Sequence, residues 1–193
     1  MTFAICMSYA PRYPDATFVE SPHFDARPDP QDISLLVIHA ISLPPESFGG
    51  PYVRQLFQGQ LDAGAHPYFA DIASLQVSAH FFIRRDGAVE QYVDCGMRAW
   101  HAGKSSFAGR ERCNDFSIGI ELEGSDNQPF ADAQYSALVA LTAWLLQEYP
   151  ELSPQRIVGH EHIAPGRKTD PGPYFDWQRY RTLLASQPSI HQQ

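Results

Sequence analysis

A chain of 193 residues, 44% hydrophobic and 19% charged, can bury a sizeable core and reads as one domain over residues 1–193. Its 14 basic and 22 acidic side chains leave a net charge of −8, which argues against nucleic acid or an anionic membrane as the main partner. The three cysteines, Cys6, Cys95 and Cys113, lack CxxC spacing and read as idle thiols, not as a disulfide framework or a structural zinc site.

Residues 1–32 carry Pro11, Pro14, Pro22, Pro28 and Pro30 without a hydrophobic period, so an extended lead segment with little regular structure is expected. Neither a signal-peptide pattern nor a run near the ~20 apolar residues of a membrane span is visible, so a cytoplasmic location is expected. The nearly continuous apolar run 33–38 fits a strand buried on both faces, and it ends at His39. Pro51 and Gly59 bracket a short helix over 51–58. A loop over 60–74 follows, with His66-Pro67-Tyr68-Phe69 as either packing or rim surface. Asp86-Gly87, between the β-prone runs 76–83 and 89–93, signals a hairpin. His80 inside the first of those runs reads as structural.

The segment Arg98-Ala99-Trp100-His101-Ala102-Gly103-Lys104 shows no period, and Arg110, Arg112 and Asn114 follow in a polar loop. Residues 116–124 alternate, with Phe116, Ile118, Ile120 and Leu122 on one face and Ser117, Gly119, Glu121 and Glu123 on the other. Spacing leaves Glu121 either on a solvated face or on a cleft floor, and favours the solvated face. Asp132 is the expected cap of a helix over 133–149 whose apolar stripe runs from Tyr135 to Tyr149, ended by Pro150. A brief strand over 157–160 ends at His160. Asp176 caps a last helix from Trp177 to about residue 186, and the tail 187–193 is expected to fray.

The stretch from His160 to Asp170 packs two histidines, an aspartate and a lysine into eleven residues. Imidazoles with a carboxylate suit zinc, and a lysine beside them can stabilise an oxyanion. If the strands ending at His39 and His160 lie together, those side chains converge, and Asp170 can turn back on a loop stiffened by Pro165 and Pro171. Three such ligands leave a fourth position for water, as metal-dependent hydrolysis requires. His162 remains a rival to His160, since i and i+2 share a face on a strand.

Together, Ser21-Pro22-His23, residues 35–45, Phe48-Gly49-Gly50-Pro51, His66-Pro67-Tyr68-Phe69, Ala99-Trp100-His101-Ala102-Gly103, residues 109–124 and residues 163–173 resemble the zinc-dependent N-acetylmuramoyl-L-alanine amidases of the peptidoglycan-recognition fold. The likeness is greatest to those acting on 1,6-anhydro muropeptides in bacterial cell-wall recycling. The resemblance implies an α/β fold with a central mixed β-sheet flanked by helices, one catalytic zinc ion, a small muropeptide substrate and a monomer. By matching position it implies His39, His160 and Asp170 as metal ligands, which settles the rivalry with His162. It implies Glu121 as the catalytic carboxylate, reversing the reading from spacing, and Lys168 as the oxyanion cation. It also implies Arg112, Tyr68 and Trp100 as substrate contacts. Two positions depart from the family pattern: Ala40 stands where asparagine is usual, and Gln76 where a second carboxylate-binding arginine is expected. A peptidoglycan-binding module without catalysis is the alternative, and an amidase of the intact wall would call for an export signal.

Overall fold

In the computed structural model, which describes residues 11–187, the lead segment is more ordered than its prolines suggest. It holds two short strands, β1 (Ala16–Phe18) and β2 (Phe24–Ala26). Pairing gives their backbone groups partners that a loose wrapping segment would lack. The expected frayed tail past residue 187 and Cys6 lie outside the described residues.

Next come β3 (Leu35–Ile41), helix α1 (Tyr52–Phe57), the hairpin β4 (Phe81–Ile83) and β5 (Val89–Gln91), then β6 (Met97–Ala99). They are followed by β7 (Ser106–Phe107), β8 (Arg110–Glu111), β9 (Ser117–Glu123), α2 (Asp132–Glu148), β10 (Ile157–Gly159), α3 (His160–Ile163) and α4 (Trp177–Ala185). Six strands make one sheet in the order β1-β5-β4-β9-β3-β10, parallel throughout except for the β4–β5 hairpin. The sheet is therefore mixed, as expected, with β4 and β9 at its centre and β3 between β9 and the edge strand β10.

Period-two alternation along β3 divides the molecule. Leu36 and Ile38 face α2 and α4, packing with Leu138, Leu141, Leu145 and Tyr180. Leu35 and Val37 face the other way, and His39 continues that face. The same division runs along β9. Ile118, Ile120 and Leu122 join the helix side, while Ser117, Gly119, Glu121 and Glu123 share the face of His39. All seven residues of β9 are buried, because β3 and β4 flank it and both layers cover it. The solvated face favoured by spacing alone is absent.

Other expectations shift in their boundaries, by up to five residues. The hairpin turn is present, with Gly87 at φ +87°, but its first strand starts only at Phe81. Asp132 is the first residue of α2 and not its cap. The Gln134 side chain takes the Ala131 N–H at 3.0 Å instead, and Asp132 pairs with Arg179 at 2.8 Å. Asp176 caps α4 through the Arg179 N–H, as expected. The described thiols Cys95 and Cys113 are free and buried.

Arg27, just past β2, is 5% exposed and has carbonyl partners in place of a carboxylate. Its guanidinium donates to Cys95, Asn114, Asp115 and Ser117 oxygens at 2.8–3.2 Å. Burial lowers its pKa to about 10, which keeps it charged at neutral pH. It pins the turn over Cys113–Asp115 to the start of β9, directly behind the site described next. Arg27→Met is expected to cost about 3 kcal/mol or more, because several buried carbonyls lose their donor. Denaturant unfolding measures this, and an unchanged midpoint would contradict it.

Candidate metal centre

The sheet delivers three functional side chains in register at the carboxyl ends of parallel strands. His39 pairs with Glu121 across β3 and β9. On the other side of β3, Gly159 pairs with Ile38, so the next residue, His160, emerges beside His39. The chain returns through the Asp170 carbonyl, which accepts the Glu161 N–H at 3.0 Å and brings the Asp170 carboxylate under both rings.

His39 Nδ1, His160 Nδ1 and Asp170 Oδ2 stand 3.0, 3.1 and 3.2 Å apart. Donors about 2.0–2.1 Å from a tetrahedral zinc ion stand roughly 3.3 Å from one another, so the set fits that ion closely. Proton positions point the same way. His160 Nε2 is 3.1 Å from the Ala102 carbonyl oxygen, which can only accept, so the ring proton sits there and Nδ1 keeps its lone pair. The two histidines are 1% and 3% exposed. Burial is the main influence holding the His39 pKa down, at about 4, so the ring is neutral and able to ligate at neutral pH. For Asp170, burial raises the pKa, but the imidazoles of His160 and His39 beside it outweigh that effect and hold the group well below the usual carboxylate range.

Glu121 stands next to this set, its Oε1 4.0 Å from His39 Nδ1. Its Oε2 is buried without a hydrogen-bond partner. Burial first, then the charge of Asp170, push its pKa well above the ordinary value, while Lys168 pulls it back in part. A raised, unpartnered carboxyl beside a metal set suits a group that accepts and returns a proton.

Glu121, His160 and Asp170 line a cavity of about 560 Å³, with His39 buried behind them. Tyr68, Leu75 and Trp100 contribute to an apolar wall, and Asp126, Asn127 and Lys168 to a polar one. A second hollow of about 540 Å³ lies between Gly49 and Arg85, but its Arg54 and Arg84 are already tied to Glu90 at 2.5 and 2.8 Å.

A model of the N-acetylmuramoyl-L-alanine amidase family matches residues 29–173, a span that contains every residue of this centre. The chain belongs to that family. Among its relatives is the 1,6-anhydro-N-acetylmuramyl-L-alanine amidase AmpD of Haemophilus influenzae, 62% identical over 166 residues, or 86% of this chain and 90% of that one. A crystal structure of AmpD, as a selenomethionine derivative, is 58% identical and superposes with a TM-score of 0.87 over 90% of this chain and 96% of that one. The Escherichia coli amidase AmiD, solved with anhydro-N-acetylmuramic acid-L-Ala-D-gamma-Glu-L-Lys, is 32% identical with a TM-score of 0.59, covering 79% of this chain and 57% of AmiD.

In this amidase-family chain, the structure lines one cavity with His160, Asp170, Glu121, Lys168, Tyr68 and Trp100, and groups buried His39 with His160 and Asp170. Arg112 stands apart from its lining, with a side chain 70% exposed and bonded to Asp115 at 3.2 Å. Two ion pairs and a hydrogen bond link it inward: Asp115 to Arg98, Arg98 to Asp25 at 2.7 Å, and the Trp100 indole N–H, which donates to Asp25 at 3.1 Å. Ala40 lines the cavity, and Gln76 is exposed.

His162 does not rival His160. The strand ends at Gly159 and the chain enters a helical turn, where i and i+2 diverge. His162 Nδ1 accepts the Gly159 N–H at 3.0 Å, and its ring packs on Trp177 at 5.7 Å. His80 is structural, as expected: it accepts the Gly119 N–H and donates to the Met97 carbonyl. The residues that sequence reasoning passed over are Arg27 and the pair His101 and Asn114. Gly119 was the available signal, since a glycine inside a strand marks a close approach. A Cβ there would stand 2.5 Å from the His101 ring.

Proposed function

We propose that this protein hydrolyses the amide between the lactyl group of 1,6-anhydro-N-acetylmuramic acid and the L-alanine of a stem peptide, with one zinc ion held by His39, His160 and Asp170. The observation that carries this reading is the convergence of those three donors, with Glu121 beside them, at a cavity lined by Glu121, His160 and Asp170. The 1,6-anhydro-N-acetylmuramyl-L-alanine amidase AmpD of Haemophilus influenzae, 62% identical to this chain, supports the choice of bond. The anhydro muropeptide bound to AmiD supports the choice of substrate.

A zinc ion held there supplies Lewis acidity, acidifying water and polarising a carbonyl. Glu121 takes a proton from the attacking water and passes it to the departing alanine nitrogen as the C–N bond breaks. Its raised pKa, caused mainly by burial, lets it hold that proton between the two steps. The Lys168 ammonium, on the polar wall, donates to the carbonyl oxygen as negative charge develops. Tyr68 and Trp100 hold the sugar and lactyl portion against the apolar wall. Arg112 receives a carboxylate farther along the peptide, in keeping with its exposed guanidinium and its linkage to Trp100.

The protein acts as a monomer in this reading. We place it in the cytoplasm, a location supported by the free buried thiols Cys95 and Cys113. Among the described residues, no helix is long and apolar enough to cross a membrane.

Incubation with anhydro- and ordinary N-acetylmuramoyl tripeptides, read by mass spectrometry, tests the reading. Release of free tripeptide is expected, and intact substrate after prolonged incubation with zinc-loaded protein would sink it. Dialysis against a chelator should abolish release, and added zinc should restore it. Full activity in a sample shown by elemental analysis to be metal-free would remove zinc from the mechanism.

A further inference from the structure

Both histidines of the proposed centre take their orientation from one short segment, residues 100–102. The Ala102 carbonyl receives the His160 Nε2 proton at 3.1 Å. His39 turns the same atom, Nδ1, toward the centre, and its Nε2 lies 2.9 Å from His101 Nδ1. The segment is clamped from two sides. Asn114 Oδ1 accepts the backbone N–H groups of His101 and Ala102 at 3.2 and 2.8 Å. Arg167 donates to the Ala102 and Lys104 carbonyls, each at 2.7 Å.

The His101 ring has little room to turn. It lies over Gly119, where even a methyl group would stand 2.5 Å from Cγ. Its Nε2 is 3.3 Å from the Oγ of fully buried Ser117. The ring nitrogen facing His39 is thus held in place by β9 beneath it and by Asn114 behind it.

We propose that His101 is a positioning residue whose Nδ1 accepts the Nε2 proton of His39, so that His39 presents an unprotonated Nδ1 to the metal. It does for His39 what the Ala102 carbonyl does for His160. The proton of His101 itself then sits on Nε2 and is donated to Ser117 Oγ. Asn114 serves both ligands at once, because its single oxygen fixes the two consecutive residues that supply the two acceptors. The inference rests on the zinc reading above, and adds a residue that touches a ligand but does not ligate. A neutral imidazole ligates only through its unprotonated nitrogen, so the partner of the other nitrogen selects the tautomer.

Two variants separate this role from simple packing. His101→Asn keeps an acceptor oxygen near the original Nδ1 but leaves unfilled volume, whereas His101→Phe keeps a ring and loses the acceptor. Zinc affinity, measured by chelator competition on purified protein, is expected to stay within about threefold of wild type for His101→Asn and to fall roughly 10–100-fold for His101→Phe. Wild-type affinity in His101→Phe would overturn the proposal, as would an equal loss in both variants. A wild-type protein that takes up no zinc would instead defeat the metal reading itself.

Should His101→Phe fail to fold, nitrogen NMR of the zinc-loaded wild type decides the matter. A His39 Nε2–H coupled across its hydrogen bond to a second ring nitrogen supports the proposal. A proton found on His101 Nδ1 overturns it.

Discussion

Glu121→Gln is expected to take up one zinc ion and bind anhydro muropeptide with affinity close to wild type, yet turn over roughly 10²–10⁴-fold more slowly. Glutamine keeps the shape of the side chain and removes its capacity to hold a proton between the attack of water and the departure of the amine. The position favours such a clean separation. Glu121 is next to the three donors but not one of them, with Oε1 4.0 Å from His39 Nδ1 and Oε2 without a partner. Isothermal titration with zinc and with an anhydro muropeptide, set beside the turnover number, checks all three quantities. A variant retaining wild-type kcat would remove Glu121 from the chemistry. One that failed to bind zinc would mean that the carboxylate is a ligand and not a base.

Asp170→Asn should lose zinc affinity by on the order of a hundredfold or more, since even partners outside the ligand sphere are worth 10–100-fold. The amide is nearly isosteric, so what disappears is the one formal negative charge among the three donors. Thermal melts provide a second readout. Zinc at about a thousand times its Kd contributes about 4 kcal/mol, or roughly 10 °C in the Tm of a domain this size. At the same zinc concentration that rise should be full in wild type and fall to about a third or less in Asp170→Asn. His162→Ala is the control: its ring faces Gly159 and Trp177, so zinc binding and the zinc-induced rise should both survive. If Asp170→Asn kept a wild-type rise, the third ligand would have to be sought elsewhere.

Much of this centre could be read without coordinates because its main parts lie at strand ends. An apolar run that stops at a histidine states both that the strand is buried and where its last side chain emerges. Two such runs, ending at His39 and His160, required only that β3 and β10 be neighbours, and they are. Asp170 and Lys168 followed from their closeness in sequence to His160. The helices α1, α2 and α4 were legible from their proline, glycine and aspartate boundaries and their apolar spacing, with small errors in the exact caps.

Local pattern and tertiary context divide at the points where reading from spacing went astray. Alternation along β9 states which residues share a face but not whether that face meets water. Burial of Glu121 depends on β3 and β4 beside it and on the cavity lining above, all contributed by distant parts of the chain. The pairing of His160 with His162 assumed a strand period of two. The chain turns helical at His160, the period changes, and the rings part. His101 comes from a segment without any period, 62 residues from His39, and meets it only because Asn114 and Gly119 leave one place for its ring. Periodicity, chain breakers and charge therefore suffice for the longer strands and helices and put His39 and His160 forward at strand ends, while the short strands β1, β2, β6, β7 and β8 escape them. Which faces are dry, and which donor finds which acceptor, depend on contacts between remote segments that no local pattern encodes.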